Sequence, residues 1–376
     1  MFKIEKIDTS NKKQVDEFVQ FQYDLYKGTP QFCPPFRGDI KLMLNRDKHP
    51  FYEHSLADFF VVRDENGKIV GRIAAMMNNP FNEYHKVKKA QFYLFECIDN
   101  QEVANMLFQA VFDWAHEHEL NEVVGPKGFS AFDGYGILVE GFEHHQMMTM
   151  MNYNFPYYAK LLENLGFTKE VDFVSCYIYK DKFVLPEKVR KASELVQKRG
   201  SFKVLQFKNK REMMKHAWEI GEAYNKTFVN NWEYYPLTKG EVKLLLDNLL
   251  VVADPKLIKL ITHNDEIVGF LFAFPDITSA LQRHDGKITP LGVLDMMREL
   301  KKTKWVSVNG AGVLPEYHGL GGNAIMYAEM EKTIKEFHFD HCEMTQVAET
   351  AAQMRKDLIN LGGQPYKNHR IFHKTI

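Results

Sequence analysis

A glycine-rich turn is the part of this sequence whose residue types and spacing most directly suggest chemistry. Gly319, Gly321 and Gly322 follow a strand-like segment that ends at Val313, and they precede a segment with the apolar spacing of a helix. A strand that turns tightly into a helix leaves backbone N–H groups unpaired at the positive end of the helix dipole. Glycines let a diphosphate approach such a backbone closely. The turn therefore predicts an anion site, although glycine runs are more often plain turns or helix caps.

Three short segments recur in the same order at nearly constant spacing. The segments return at offsets of 200, 198 and 196 residues: 2–7 as 202–207, 67–71 as 264–269, and 165–167 as 361–363. Such ordered repetition predicts a duplicated domain. We expect an N-terminal domain over 1–185 and a C-terminal domain over 186–376, with the segment 180–191 as a linker. The predicted fold class is α/β, with mixed α+β sheets in two tandem domains.

The two copies differ where function is usually found. At the junction equivalent to the glycine turn, the first copy has Asp99, which we expect to cap the helix and to repel an anion. The first copy is therefore expected to have a degenerate cofactor site. Insertions also carry new sites. The second copy gains the stretch 276–304, with a basic amphipathic helix near 296–304, and the first gains the aromatic and glycine-rich stretch 125–153.

Charge and apolar content exclude several classes of protein. The chain has 48 basic and 49 acidic residues, a net charge of -1, so no overall field draws it to nucleic acid or anionic lipid. No apolar run approaches the roughly 18 to 20 residues of a membrane span. We expect a cytoplasmic protein without nucleic-acid or membrane partners. The four cysteines are widely scattered, which predicts reduced packing residues and no metal site.

The segment 313–324 resembles the coenzyme A signature of the GNAT superfamily of acyl-CoA-dependent N-acyltransferases. That signature has Arg or Gln, two further residues, Gly, one residue, and then Gly or Ala. The order of hairpin, long strand, signature helix, strand and helix also matches over about 200–376, and more weakly over 1–180. The whole chain is similar to a group of tandem GNAT-like bacterial proteins through its segments 95–99, 138–142 and 157–158.

The resemblance implies an N-acyltransferase that uses acetyl-CoA or another acyl-CoA. The acyl group is expected to be acetyl, and the acceptor an amine of a small molecule or peptide. Backbone near Ala311 and Val313 would bind the pantetheine arm. The diphosphate would lie against consecutive residues of the turn and helix start: His318, Gly319, Leu320, Gly321, Gly322, Asn323 and Ala324.

Three positions depart from the usual GNAT pattern. His318 replaces Arg or Gln, Asn323 replaces Gly or Ala, and Leu358 stands where a tyrosine often protonates the leaving thiolate. Acid catalysis by that tyrosine is therefore not expected. A transfer also needs a base for the amine. Glu349, just past the strand that ends at Val347, is our candidate, with a solvated residue at a helix start as the alternative.

The inserted stretch of the first copy holds candidate acceptor-binding residues. If the two copies face one another, these would form a wall of the acceptor pocket: Asp133, Asn152, Tyr153 and Tyr157. The alternative is a packed surface loop with aromatic anchors.

Two other function classes compete with the transferase. A non-catalytic acyl-CoA-binding module is favoured by Leu358 and the altered signature. An aminoacyl or peptide-modifying transferase would take its donor from a charged tRNA, which the near-zero net charge disfavours. The sequence leaves the oligomeric state open.

Overall fold

The computed structural model describes the chain from residue 1 to 376 except for residues 131, 132, 149, 150, 228, 230, 231, 233 and 338, and for residues 217, 224 and 249–252 it describes the backbone alone. The chain forms two compact units. Unit 1 comprises Met1–Phe173, Ile277–Glu299 and Lys367–Ile376, and unit 2 comprises Val174–Asp276 and Leu300–Tyr366. These units divide the chain differently from a single boundary at residue 185, which stays a prediction.

The first half of the chain contains seven strands and five helices within the described residues. In chain order they are β1 (Lys3–Lys6), α1 (Lys12–Leu25), α2 (Arg37–Met43), β2 (Leu56–Arg63), β3 (Ile69–Met77), α3 (Asn79–His85), β4 (Lys89–Cys97), α4 (Gln101–Glu117), β5 (Glu122–Gly125), β6 (Ile137–Glu140), α5 (Tyr157–Asn164) and β7 (Thr168–Tyr179).

The second half repeats much of this order. Its helices and strands are α6 (Glu187–Arg199), β8 (Phe202–Gln206), α7 (Lys210–Met214), α8 (Ala217–Thr227), α9 (Lys239–Val252), β9 (Ile258–His263), β10 (Glu266–Pro275), α10 (Thr278–His284), α11 (Pro290–Lys302), β11 (Trp305–Val313), α12 (Gly322–Glu336), β12 (His341–Ala348), α13 (Ala352–Asn360) and β13 (Gln364–Thr375).

In unit 1 the strands follow the order β1-β2-β3-β4-β5-β13, and β4 runs parallel to β5. Side chains of β2 alternate between two faces, as a strand requires. Phe60 and Val62 belong to a core covered by α4 and α5, whereas Phe59 and Val61 belong to a core covered by α1 and α2. The sheet of unit 1 is therefore covered by helices on both faces.

In unit 2 the order is β7-β12-β11-β10-β9-β8, and β11 runs parallel to β12. The apolar face of α12 packs on β10 and β11, and α6 lies along α12. A buried ion pair between Lys259 of β9 and Glu329 of α12, at 2.8 Å, further fixes α12 on the sheet. This packing holds the N-terminus of α12 next to the end of β11.

Several local expectations need correction. The helix expected from 213 to 228 is two helices, α7 and α8. The last part of the expected linker 180–191 belongs to a full helix, α6, which begins directly after Pro186. Proline disrupts a helix interior, and at this position before the first helical residue it does not. Asn100, not Asp99, caps α4. The four cysteines are buried and unbonded to one another, as expected.

Within the described ranges, no helix is both long and apolar enough to cross a membrane.

Candidate functional site

Each unit has a β-bulge in the strand that precedes the helix at the position of the coenzyme A signature. These strands and helices are β4 and α4 in unit 1, and β11 and α12 in unit 2. In β11, Asn309 and Gly310 lie opposite the single residue Phe272 of β10, and Gly310 has a φ of 112°. In β4 the equivalent bulge falls at Leu94, which has a φ of 51°. A bulge bends its strand and increases its twist. Both strands are therefore turned away from their parallel neighbour.

The parallel strands of unit 2 separate beyond the bulge. Among the described residues, the pairing of β11 with β12 runs from Trp305 to Val308 of β11. Strand β11 nevertheless continues to Val313 and β12 to Ala348. Within the described pairing, the carboxyl ends of the two strands thus separate into a wedge, which we call the unit 2 wedge.

The corresponding strand end of unit 1 is filled by its own side chains. Glu96 is buried, and its carboxylate accepts hydrogen bonds from the hydroxyls of Tyr26 and Tyr158 at 2.6 and 2.8 Å and from the amide of Gln22 at 2.9 Å. The Tyr158 hydroxyl also accepts the backbone N–H of Cys97 at 3.0 Å. Burial raises the pKa of Glu96 in spite of these donors. The backbone N–H of Cys97 is therefore not available to a ligand.

The position of Glu96 is occupied by a glycine in unit 2. Gly71 of β3 and Gly269 of β10 are equivalent positions in the two hairpins. When the strand pairs are aligned on these glycines, Gly312 of β11 takes the position that Glu96 has in β4. A Cβ on Gly312 would lie 2.2 Å from Cγ2 of Thr227, so a larger residue would require Thr227 to move. Unit 2 therefore has no carboxylate at this ladder position.

The strand-to-helix connection is longer in unit 2 and leaves its helix uncapped. Three residues, 98–100, join β4 to α4, whereas eight, 314–321, join β11 to α12. In α4 the Asn100 side chain accepts the N–H groups of Glu102 and Val103. Helix α12 begins after Gly321 with no side-chain cap. Its first N–H groups, with no partner inside the helix, point out at the positive end of the dipole.

Packing around this connection requires two of its glycines. A Cβ on Gly322 would lie 2.8 Å from Cγ1 of Val313, and one on Gly321 would lie 2.5 Å from Cγ2 of Val196 in α6. Gly321 also has a φ of 107°, in the region that favours glycine. His318 donates from Nε2 to the carbonyl of Val313 at 2.8 Å, so its ring ties the connection to the strand end. A direct contact with an anion is thus not needed to explain His318.

The remaining predicted cofactor residues lie along the same path. Ala311 is in the separated part of β11, Gly319 and Leu320 are exposed in the connection, and Asn323 and Ala324 are in the first turn of α12. The structure therefore brings the predicted cofactor residues of unit 2 into one continuous segment.

Two side-chain atoms at the wedge are shielded from solvent and lack hydrogen bonds. Nδ2 of Asn309 and Oγ1 of Thr345 have no partner among the described residues. Asn309 is in the bulge of β11, and Thr345 is the first residue of β12 beyond the paired region. Unsatisfied buried polar groups are costly and call for an explanation. Both residues lie where the two strands begin to separate.

No family model matches the chain. Protein YghO of Escherichia coli (strain K12) is 25% identical over 377 residues, which cover 97% of this chain and 94% of that protein. The bacterial ceramide synthase of Caulobacter vibrioides (strain NA1000 / CB15N) is 23% identical over 379 residues, 98% of this chain and 97% of that protein. A solved tandem GNAT protein from the clavulanic acid biosynthesis pathway superposes with a TM-score of 0.57 at 11% identity, covering 100% of this chain and 98% of that chain.

This chain has the tandem GNAT fold. The bulged strand, the parallel wedge and the helix after it occur once in each unit, and the order of hairpin, long strand, helix and strand is the one that the sequence resemblance predicted. The prediction of a mixed α/β fold with two GNAT-like repeats is confirmed. At these percentages of sequence identity, the similarity establishes the fold of the chain and does not establish its reaction.

Two predicted positions of the tandem GNAT fold concern proton transfer. Glu349 is partly exposed and directly follows β12, next to the wedge. Leu358 is buried in the core of unit 2, on α13. Leu358 supplies no proton, so that position contributes packing alone. The role of Glu349 as a base stays a prediction.

Asp133 and Asn152 support the loop structure of unit 1. The carboxylate of Asp133 accepts the backbone N–H of Ser130 at 2.8 Å, and burial raises its pKa to about 6. The Asn152 amide donates to the carbonyl of Gly136 at 3.1 Å. Both contacts brace turns of the inserted stretch, part of which, residues 131, 132, 149 and 150, lies outside the described chain.

Tyr153 and Tyr157 belong to the aromatic cluster that fills unit 1. The ring of Tyr153 packs edge-on against Tyr26, with centroids 5.8 Å apart. The Tyr157 hydroxyl donates to the carbonyl of Cys97 at 2.7 Å. These contacts explain the two tyrosines as fillers of the strand end, and a role in acceptor binding stays a prediction.

Sequence reasoning missed the residues that distinguish the two wedges. The partners of Glu96 come from two helices and carry no local motif. Gly312 was detectable, because Asn309-Gly310-Ala311-Gly312 places two glycines inside a strand, and such glycines mark bulges or a close approach of another group.

Proposed function

We propose that this chain is an N-acyltransferase that binds acyl-CoA in the unit 2 wedge and transfers its acyl group to an amine. One observation supports this most strongly: a buried carboxylate and its partners fill the strand end of unit 1, whereas unit 2 has Gly312 at the same ladder position. The open wedge adjoins the uncapped N-terminus of α12, whereas Glu96 and its partners occupy the filled one. A purely structural duplication would give no reason for that difference.

The residues of the unit 2 wedge fit the chemistry of coenzyme A. The N–H groups at the start of α12 would hold the diphosphate. The separated edge of β11 would pair with the amides of the pantetheine arm, as an added strand does. Asn309 and Thr345 would gain the hydrogen bonds that they lack within the described chain. The bound group would supply an acyl carbon activated as a thioester.

The reaction requires proton management by this chain. The amine must lose a proton before it attacks, the new C–N bond forms as the C–S bond breaks, and the thiol leaves with one proton overall. Glu349 is the proposed acceptor of the amine proton, directly or through water. Because Leu358 carries no hydroxyl, the thiolate would depart unassisted at that position, which its low basicity permits.

The acceptor is proposed to be the amine of a long-chain amino alcohol. The support is the similarity over nearly the whole chain to a bacterial ceramide synthase, since a ceramide is the amide of a fatty acid and such an amine. The donor would then be a long-chain acyl-CoA, in place of the acetyl-CoA that the sequence signature alone suggests. Protein YghO, whose name states no reaction, adds no information about the acceptor.

The test combines binding and turnover. Purified protein is mixed with acetyl-CoA or palmitoyl-CoA and with sphinganine or a short diamine, and free thiol release and the amide product are measured. Amide from sphinganine with wild-type protein, but not with Glu349→Gln, is the expected result. Binding of acyl-CoA without amide from any amine would instead support the non-catalytic binding module.

A further inference from the structure

One helix carries large apolar side chains on its solvent-facing surface. In α11, Leu291 is 74% exposed, Leu294 is 51% exposed and Met297 is 54% exposed. Residues three apart on a helix lie on neighbouring positions of one face. Ile288, directly before the helix, is also exposed. Isolated exposed apolar residues are ordinary, but a contiguous set marks an interaction surface.

The same face of α11 is rich in cations. Arg298, Lys301 and Lys302 are exposed and take part in no ion pair within the described part of the chain. At about 100° per residue, Arg298 and Lys301 fall among the three apolar positions rather than on the opposite side. The exposed surface is therefore apolar and basic together, and we call it the α11 face.

The acidic residues of α11 are turned away and neutralised. Arg283 of α10 pairs with Asp295 at 2.7 Å and with Glu299 at 2.7 Å. His284 lies 3.2 Å from Asp295. Both carboxylates are thus engaged by the Arg283 guanidinium of α10. The outward charge of the α11 face is consequently positive, although the chain as a whole has a net charge of -1.

We propose that the α11 face docks the protein on an anionic phospholipid bilayer. A helix that presents apolar side chains with interspersed Lys and Arg lies in a membrane interface, where the apolar groups enter the acyl boundary and the cations meet the phosphates. The charge complementarity is local, which is why the balanced composition of the whole chain did not reveal it. The proposal differs from the expectation, drawn from the sequence, that the protein has no membrane partner.

The proposal goes beyond the proposed function and does not depend on it. Docking involves no acyl-CoA and no amine, so it can be measured in their absence. The two proposals are nevertheless compatible, because a long-chain amine resides in a bilayer and a docked enzyme would meet it there.

The experiment is vesicle sedimentation with the full chain. Vesicles of phosphatidylcholine alone are compared with vesicles that contain phosphatidylglycerol as about one third of the lipid. Wild-type protein should sediment with the anionic vesicles and much less with the neutral ones. The Lys301→Glu/Lys302→Glu variant should reduce the partition coefficient roughly 30-fold or more, since each basic residue contributes about 5-fold near such a surface.

Leu291→Gln/Leu294→Gln should also reduce binding at least about 10-fold, because each exposed leucine would otherwise bury apolar area. The matched controls are Leu195→Gln, which changes a 50% exposed leucine on α6, and Lys198→Glu on the same helix. Both controls should bind as wild type. Circular dichroism and thermal unfolding establish that every variant is folded, as expected for exposed positions.

Equal sedimentation of the wild type with neutral and anionic vesicles would overturn the proposal, as would wild-type binding by the folded α11 variants. A face that recognises an acidic protein instead would show α11-dependent retention on polyglutamate beads but none on vesicles. That outcome also overturns the membrane proposal.

Discussion

Replacing Asn323 by Asp should weaken acyl-CoA binding without weakening α12. Asn323 is the second residue of α12, whose first turn contains no acidic residue. A carboxylate in the first turn of a helix interacts favourably with the dipole, by about 0.3 to 1 kcal/mol. The equivalent helix of unit 1 already has Glu102 at this position. The substitution therefore opposes a bound anion while it suits the folded helix.

The expected loss of affinity follows from Coulomb's law. A single negative charge about 5 Å from one charge of the diphosphate interacts by about 3 kcal/mol at an effective dielectric constant of about 20. Salt and partial exposure reduce this to about 2 kcal/mol, or roughly a 30-fold increase in Kd. Gly321→Glu would also add a charge here, but a Cβ at Gly321 would meet Val196 at 2.5 Å and would confound binding with packing.

Calorimetric titration with acetyl-CoA and palmitoyl-CoA measures the effect. Asn323→Gln serves as the neutral control and should bind within a factor of about 3 of the wild type, since it adds no charge. Glu102→Gln, which alters charge at the equivalent helix of unit 1, should leave Kd unchanged. An Asn323→Asp protein that binds as tightly as wild type, or equal losses in both charge variants, would refute a diphosphate site at α12.

Four further outcomes are expected. Gly312→Ala should destabilise unit 2 by about 1 to 3 kcal/mol in denaturant unfolding, because the added methyl group would contact Thr227. Adding Thr227→Ser, which removes Cγ2, should recover most of the loss. If the destabilisations of the two single variants simply add in the double variant, the contact is contradicted. Tyr158→Phe should cost unit 1 about 1 to 3 kcal/mol, because a buried carboxylate and a strand N–H lose a partner, yet acyl-CoA should bind as before; a changed Kd would argue against the filled wedge. Glu349→Gln should abolish turnover and preserve Kd, and unchanged turnover would remove this residue from the mechanism. Burial lowers the pKa of His369 from 6.5 to about 4, so the free energy of unfolding should fall by about 3 kcal/mol as the pH drops from above 6.5 towards 4. In denaturant titrations, His369→Gln should show a smaller loss of stability over this pH range. A pH dependence equal to that of the wild type would exclude His369 as its source.

The sequence was informative where local chemistry determines structure. Gly67 in the first hairpin turn, Gly166 and Gly362 at the helix ends, and Gly319 and Gly321 in the glycine turn all have positive φ, a conformation that few other residues adopt, so their elements were predictable. The duplication followed from their spacing. The fold class therefore came from positions where one residue type has one main structural meaning.

The features that the sequence did not predict depend on exact side-chain geometry and on contacts between distant segments. The cap of α4 shifted from Asp99 to Asn100 because the side chain one residue later has the geometry to accept two N–H groups. The filled wedge joins Gln22 and Tyr26 to Glu96 across about 70 residues, and no periodicity encodes that pairing. The sequence predicted a basic amphipathic helix near 296–304. The positive charge of the α11 face depends in addition on Arg283 of α10, which pairs with the acidic residues of α11 and has no sequence pattern that links it to them.

The contrast between Glu96 and Gly312 explains why the two copies diverged in this way. A bulged strand that separates from its neighbour exposes backbone groups that must find partners, because unpaired buried groups cost about 1 to 3 kcal/mol each. A copy that binds a ligand can leave the space open and let the ligand satisfy them. A copy without a ligand must provide partners itself, and in unit 1 Tyr157 and Tyr158 take both backbone groups of Cys97. The buried carboxylate of Glu96 then holds Tyr158 in place. If unit 2 binds acyl-CoA as proposed, the filled wedge of unit 1 is what a copy without that ligand requires, and acyl-CoA binding should depend on unit 2 alone.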